Sequence, residues 1–82
     1  MDIVKVFGKN VRRYRKEKGL SQEKLGELSG LHRTYISDIE RFQRSIALEN
    51  IQRIADALNI DTFKLFIETE DNNNGKKIND QN

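Results

Sequence analysis

The chain has 82 residues, fifteen of them Lys or Arg and thirteen Asp or Glu, with one His and no Cys or Pro. That length supports one small domain with a marginal core, the lack of Cys excludes disulfides and Cys-based zinc sites, and a lone His with no nucleophile or carboxylate pair arranged around it speaks against an enzyme, a metal centre or a cofactor. No apolar run is long enough to span a bilayer and no signal-peptide pattern opens the chain, so a cytoplasmic protein without a membrane partner is expected.

The absence of Pro and the high charged fraction favour helix, and no alternating run reads as a strand. Asp2 can cap a first helix running to about Lys18, with Phe7, Val11 and Tyr14 as its inward stripe and Gly19 as its stop. Lys9, Arg12, Arg13 and Lys16 are left outside. Between Lys5 and Lys18 seven basic residues face Glu17 alone, a local +6, whereas Ser45 to Asp71 sets two basic residues against six acidic ones. Such a basic end suits a polyanion, although by itself a solvated helix face is the better account, and only beside a helix-turn-helix does the balance reverse.

Ser21 can cap a second helix, about Gln22 to Ser29, with Leu25 and Leu28 inward. Gly26 leaves room for a close helix approach, Gly30 supplies the positive φ that ends the helix, and Leu31 fills the corner. A third helix, about Arg33 to Arg41, turns Ile36 and Ile39 inward and Arg33, Thr34, Ser37, Asp38 and Arg41 outward. Two short helices across one Gly turn describe a helix-turn-helix, whose second helix enters the DNA major groove. After a loop, Phe42 to Ala47, a fourth helix spans about Leu48 to Leu58 with Leu48, Ile51, Ile54, Ala55 and Leu58 on one face. Asp61 can cap a fifth, short helix carrying Phe63, Phe66 and Ile67. The polar remainder, residues 70–82, is expected to be a disordered tail behind a folded unit of residues 1–69.

The run from Leu20 to Arg44, LSQEKLGELSGLHRTYISDIERFQR, resembles the lambda-repressor-like (XRE) helix-turn-helix group of bacterial and phage regulators. Within that group it is most similar to the controller proteins of restriction–modification systems, whose pattern reads L-S-Q-E-x-L-A and then L-x-R-T-Y-I-S-G-I-E-R-G-x-R-N. The resemblance covers about Phe7 to Phe66. It implies a compact, all-α, five-helix DNA-binding domain and a transcriptional regulator that activates and later represses its own promoter. It also implies a partly buried Arg15–Glu40 pair setting the angle between helices, and a Gln22 that holds phosphate and buttresses the recognition helix. A homodimer is implied too, built through C-terminal elements (Ile46, Phe63, Phe66 and Ile67 here), on a pseudo-palindromic operator. RNA polymerase is a further implied partner, through Glu23, Glu27 or Glu49, among which the sequence does not choose.

The outward face of the third helix carries the candidate base contacts. Arg33 can bond guanine bidentately and Thr34 can offer its hydroxyl or its methyl, with Ser37 one turn on. Tyr35 either reaches a base or phosphate or packs into the core. Ser21, Gln22, Arg41, Gln43 and Arg44 flank this face as phosphate contacts, which set register without reading sequence; simple solvation is the bland alternative for each. His32 reads as a helix-entry residue or a phosphate donor. Three departures from the controller pattern stand out. Asp38 replaces Gly and repels phosphate unless it accepts from cytosine N4 or pairs with Arg41. Phe42 replaces another Gly and either extends the third helix or packs beneath the loop. Ser45-Ile46-Ala47 replaces Asn-Pro-Ser, leaving Ser45 to cap the fourth helix. Rival readings are a phage or plasmid repressor or antitoxin-like regulator of the same fold, and a helical protein-interaction module that binds no DNA.

Overall fold

Asp2 begins the first helix as its side chain requires, accepting from the backbone N–H groups of Val4 and Lys5. In the computed structural model, which describes residues 1–69, four α-helices follow: α1 (Ile3–Glu17), α2 (Gln22–Ser29), α3 (Arg33–Glu40) and α4 (Leu48–Leu58). The tail expected at 70–82 lies outside the described residues. The fifth element is a correction: Thr62–Phe66 forms a 3₁₀ turn and not an α-helix, and the Asp61 side chain makes no cap bond to it. One turn of 3₁₀ geometry suits so short a segment between two structured neighbours. Ile67 already lies beyond it in extended conformation.

The core joins every element. Phe7 and Val11 from α1, Leu25 from α2, Ile36 and Ile39 from α3, Ile51, Ile54, Ala55 and Leu58 from α4, and Leu65 from the 3₁₀ turn form one buried cluster. Leu65 is fully buried while Phe63 is 61% exposed, so the inward residue of the last turn is not one of the aromatics. Phe66 stacks on Phe7 with ring centroids 5.4 Å apart. A buried Asn10 in α1 secures the same segment, its amide donating to the carbonyls of Leu65 and Ile67 at 2.9 Å each. Two expected core residues are outside. Leu28 is 51% exposed because α2 turns Leu25, Gly26 and Ser29 inward, and Leu48 is 82% exposed because the first turn of α4 overhangs the core.

Some helix ends follow the local chemistry of their residues and two defy it. Ser21 accepts from the Lys24 N–H at 2.9 Å, and Gly30 leaves α2 at φ 76°. Ala47 gives α4 no side-chain cap, and Ser45 does not replace it. Phe42 neither extends α3 nor merely packs under the loop, since it takes φ 63°, the left-handed position a Gly would fill. Its N–H bonds the Ile39 carbonyl and that of Gln43 bonds the Asp38 carbonyl, which closes the helix in a Schellman motif. The left-handed conformation costs a side-chain-bearing residue about 1–2 kcal/mol. Packing offsets it, because the Phe42 ring lies against Gly8 of α1, where an added methyl group would collide with that ring and with the Ile39 carbonyl.

Replacing Phe42 by Ala is expected to remove the ring contact and keep the strain, whereas Phe42→Gly removes both. The Gly variant should therefore be the more stable of the two by about 1 kcal/mol in urea denaturation, reversing the usual helix preference. An Ala variant as stable as the Gly variant would mean that position 42 is not left-handed in solution.

Candidate nucleic-acid interface

The outward face of α3 is held in place by contacts behind it. At its start, the chain entering α3 passes directly over Gly26, where a Cβ would sit 2.5 Å from the Leu31 carbonyl oxygen and 3.2 Å from the Arg33 nitrogen. The His32 Nδ1 accepts from the Thr34 N–H at 3.0 Å, so His32 is the helix-entry residue, an N-cap made by an imidazole. At its end, the buried Glu40 carboxylate receives Arg15 Nε at 2.6 Å and Nη2 at 2.9 Å. Gln22 Nε2 adds a third donor at 3.2 Å, and Arg15 Nη1 donates to the Leu20 carbonyl at 2.8 Å. Hydrogen bonding to the Glu40 carboxylate raises the Arg15 pKa from its ordinary value, against burial, which acts to lower it. The guanidinium therefore stays charged, and the pair cannot escape its desolvation by neutralising on that side.

Between these anchors, Arg15, Ser21, Gln22, Glu23, Arg33, Thr34 and Ser37 line one open cleft. The Arg33 guanidinium is exposed and makes no hydrogen bond or ion pair among the described residues. Ser21 spends an acceptor on its cap and keeps its hydroxyl proton to donate, and Gln22 keeps a second amide N–H. A planar cation beside small hydroxyls, with flanking donors across a cleft, is a set that can meet base edges and a phosphate together.

The remaining candidates are placed differently. Tyr35 is half-buried, its hydroxyl receiving Asn50 Nδ2 at 3.1 Å and its ring lying 4.5 Å beneath the Arg44 guanidinium. Asp38 binds Arg41 at 2.6 Å through one carboxylate oxygen and Arg44 at 3.3 Å through the other. Gln43 donates to the Arg41 carbonyl at 3.2 Å. The Arg41 pair is one of the two roles the sequence allows Asp38, whereas the contacts of Arg44 and Asn50 are not legible in it, because they depend on how the loop after Phe42 returns over α3.

Of the residues expected at a dimer interface, Ile46 and Phe66 line one apolar groove with Ile3, Val4, Phe7 and Ile51. Ile67 is exposed and borders a separate recess beside Asp2, Lys5 and Asn10, and Phe63 projects from the 3₁₀ turn. No helix among the described residues is long and apolar enough to cross a membrane.

Known proteins match this arrangement. The helix-turn-helix family model matches residues 11–65. The control protein C.SmaI of Serratia marcescens is 49% identical over 65 residues, 79% of this chain and 77% of that protein. The control protein C.BamHI of Bacillus amyloliquefaciens is 52% identical over 56 residues, 67% of this chain and 69% of that protein. The crystal structure of the restriction–modification controller protein C.AhdI from Aeromonas hydrophila aligns with a TM-score of 0.75 at 48% identity, over 77% of this chain and 96% of that one.

Glu40→Gln is expected to leave a buried guanidinium without its counter-charge and to lower the unfolding free energy by about 3–5 kcal/mol. Replacing both partners together, Arg15→Met with Glu40→Leu, should cost less than the single change. An unmoved midpoint for Glu40→Gln in chemical denaturation would show that the pair does not hold the helices.

Proposed function

The chain belongs to the helix-turn-helix family that contains the restriction–modification control proteins, and from that membership we propose that it is a sequence-specific DNA-binding transcriptional regulator of the controller type. The observation that carries the proposal is the free Arg33 at the start of α3, set in one cleft with Thr34, Ser37, Ser21 and Gln22. Arg33 bonds a guanine, Thr34 and Ser37 contact neighbouring base edges, and Ser21 and Gln22 hold a phosphate at the groove's rim. Gln43, Arg41 and Arg44 border the backbone on the far side, and Tyr35 supports Arg44 from below.

A homodimer completes the reading. One small core leaves Phe63, Ile67 and the groove at Ile46 and Phe66 as apolar surface that a second copy would cover. Two-fold symmetry then sets two recognition helices on a pseudo-palindromic operator with half-sites about one helical turn apart. RNA polymerase is a further partner in this reading, met by one of the exposed acidic residues Glu23, Glu27 or Glu49. Regulation of its own promoter and of a linked endonuclease gene, in the cytoplasm, is the role that follows.

A mobility-shift titration on the DNA upstream of its own gene, at two salt concentrations, tests this. Wild-type protein should give two successive shifted species that weaken with salt, and Arg33→Ala should cost about 1–3 kcal/mol, roughly tenfold to a hundredfold in affinity. One shifted species would leave a simple repressor, and no shift at low salt from folded protein would leave an interaction module instead. Sedimentation should show a dimer at tens of micromolar; monomer alone would remove the two-fold operator.

A further inference from the structure

Asp38 stands where the controller pattern has Gly, and its geometry is that of an internal counter-ion. Its carboxylate divides between two arginines, one oxygen to Arg41 at 2.6 Å and the other to Arg44 at 3.3 Å. The Asp38 side chain is only 18% exposed, whereas those of Arg41 and Arg44 are 63% and 45% exposed, so the anion lies inside a cationic rim. Arg44 is held a second time by the Tyr35 ring, and Asn50 fixes the Tyr35 hydroxyl. The three charged groups together amount to a single positive charge instead of two.

Resting on the DNA-binding reading above, we propose that Asp38 is a specificity-determining residue whose carboxylate stands in for a phosphate, holding Arg41 and Arg44 back from the backbone of unrelated DNA. A guanidinium gains little by exchanging a carboxylate for a phosphate, because both present a planar pair of acceptors and one negative charge. Unrelated duplex offers only that exchange. An operator adds base contacts at Arg33, Thr34 and Ser37, which do not depend on the two arginines. The residue thus lowers the sequence-independent share of binding and leaves the sequence-dependent share intact, a discrimination obtained by weakening the wrong complex.

The effect is read through salt. Each phosphate neutralised steepens the slope of log affinity against log salt by about 0.9, which is about threefold in affinity between 50 and 200 mM. Two arginines released by Asp38→Asn should therefore make binding to random-sequence duplex about tenfold more salt-sensitive per protomer over that range. Non-specific affinity at low salt should rise and the ratio of operator to random-duplex affinity should fall. Arg41→Gln should change random-duplex affinity little in the wild-type background and clearly in the Asp38→Asn background, a coupling that a double-mutant cycle isolates. Fluorescence anisotropy on both duplexes gives all of these, with circular dichroism to verify folding and Asp38→Ser in place of any unfolded variant.

Unchanged salt slope and unchanged random-duplex affinity in Asp38→Asn would overturn the proposal. So would a loss of operator binding with random-duplex binding unaltered, which would make Asp38 a direct base contact. Absence of binding to any duplex by folded wild-type protein would instead remove the DNA-binding reading and the proposal with it.

Discussion

The Glu40 carboxylate is the point on which the arrangement of helices depends. It is buried, and it ends α3 where two N–H groups of Arg15 from α1 and one of Gln22 from α2 converge. Such a pair adds little net stability over an apolar substitute of the same shape, since both ions are taken from water. Its effect is on geometry: any relative displacement of α1 and α3 strands a charge, which is far costlier than loosening an apolar contact. The start of α3 is fixed by a different force, the steric closeness of the chain at Leu31 and Arg33 to Gly26. An eight-residue helix held at both ends by such contacts has one orientation in which its outward face is free.

The end of α3 carries the second constraint. Phe42 reverses the chain at φ 63°, and that reversal brings Arg44 back over Tyr35 and within reach of Asp38, six residues earlier. The conformation persists because the ring has a seat at Gly8, a position where the close approach of both the ring and the Ile39 carbonyl leaves no room for a side chain. A left-handed aromatic, a helical Gly in another element and a charge cluster over the loop are therefore one device. It sets the positions of the cations around the recognition helix through Tyr35 and Asp38 of α3 and through the seat that α1 gives Phe42.

Local chemistry made much of this legible. Asp2, Ser21 and Gly30 act within a few residues of themselves, so their capping roles follow from spacing alone. The Arg15–Glu40 pair was readable only through the resemblance, because nothing in the spacing of these two residues brings them together. The misreadings share a cause. Leu28 and Leu48 fit a helical period, but a period gives a face without saying where the neighbouring helix ends. Leu65 was hidden between two larger aromatics in a segment too short for periodicity to rank them, and the 3₁₀ geometry decided which one turned inward. Ser29 is buried in α2 with its hydroxyl bonded to the Leu25 carbonyl at 2.7 Å, a polar residue on an inner face that pattern reading passes over. Phe42 defied its own intrinsic preference, and only tertiary packing explains it.

The three arginines on and after α3 separate by what stability can explain. Arg41 is the C-cap, where the helix dipole favours a cation, and both it and Arg44 hold Asp38. These positions need no ligand to account for them. Arg33 is the first residue of α3, at the end where the dipole disfavours a positive charge by about 0.3–1 kcal/mol. It has no counter-ion among the described residues, and its side chain is exposed. A cation kept at an electrostatically unfavourable helix start, beside open hydroxyl and amide donors, contributes nothing to folding that a smaller polar residue would not. The proposed DNA partner fits this placement, since a guanine edge flanked by phosphate offers acceptors in the plane a guanidinium requires. Under the proposed function, reading sequence falls to the N-terminal turn of α3, and how firmly any duplex is held falls to its C-terminal turn.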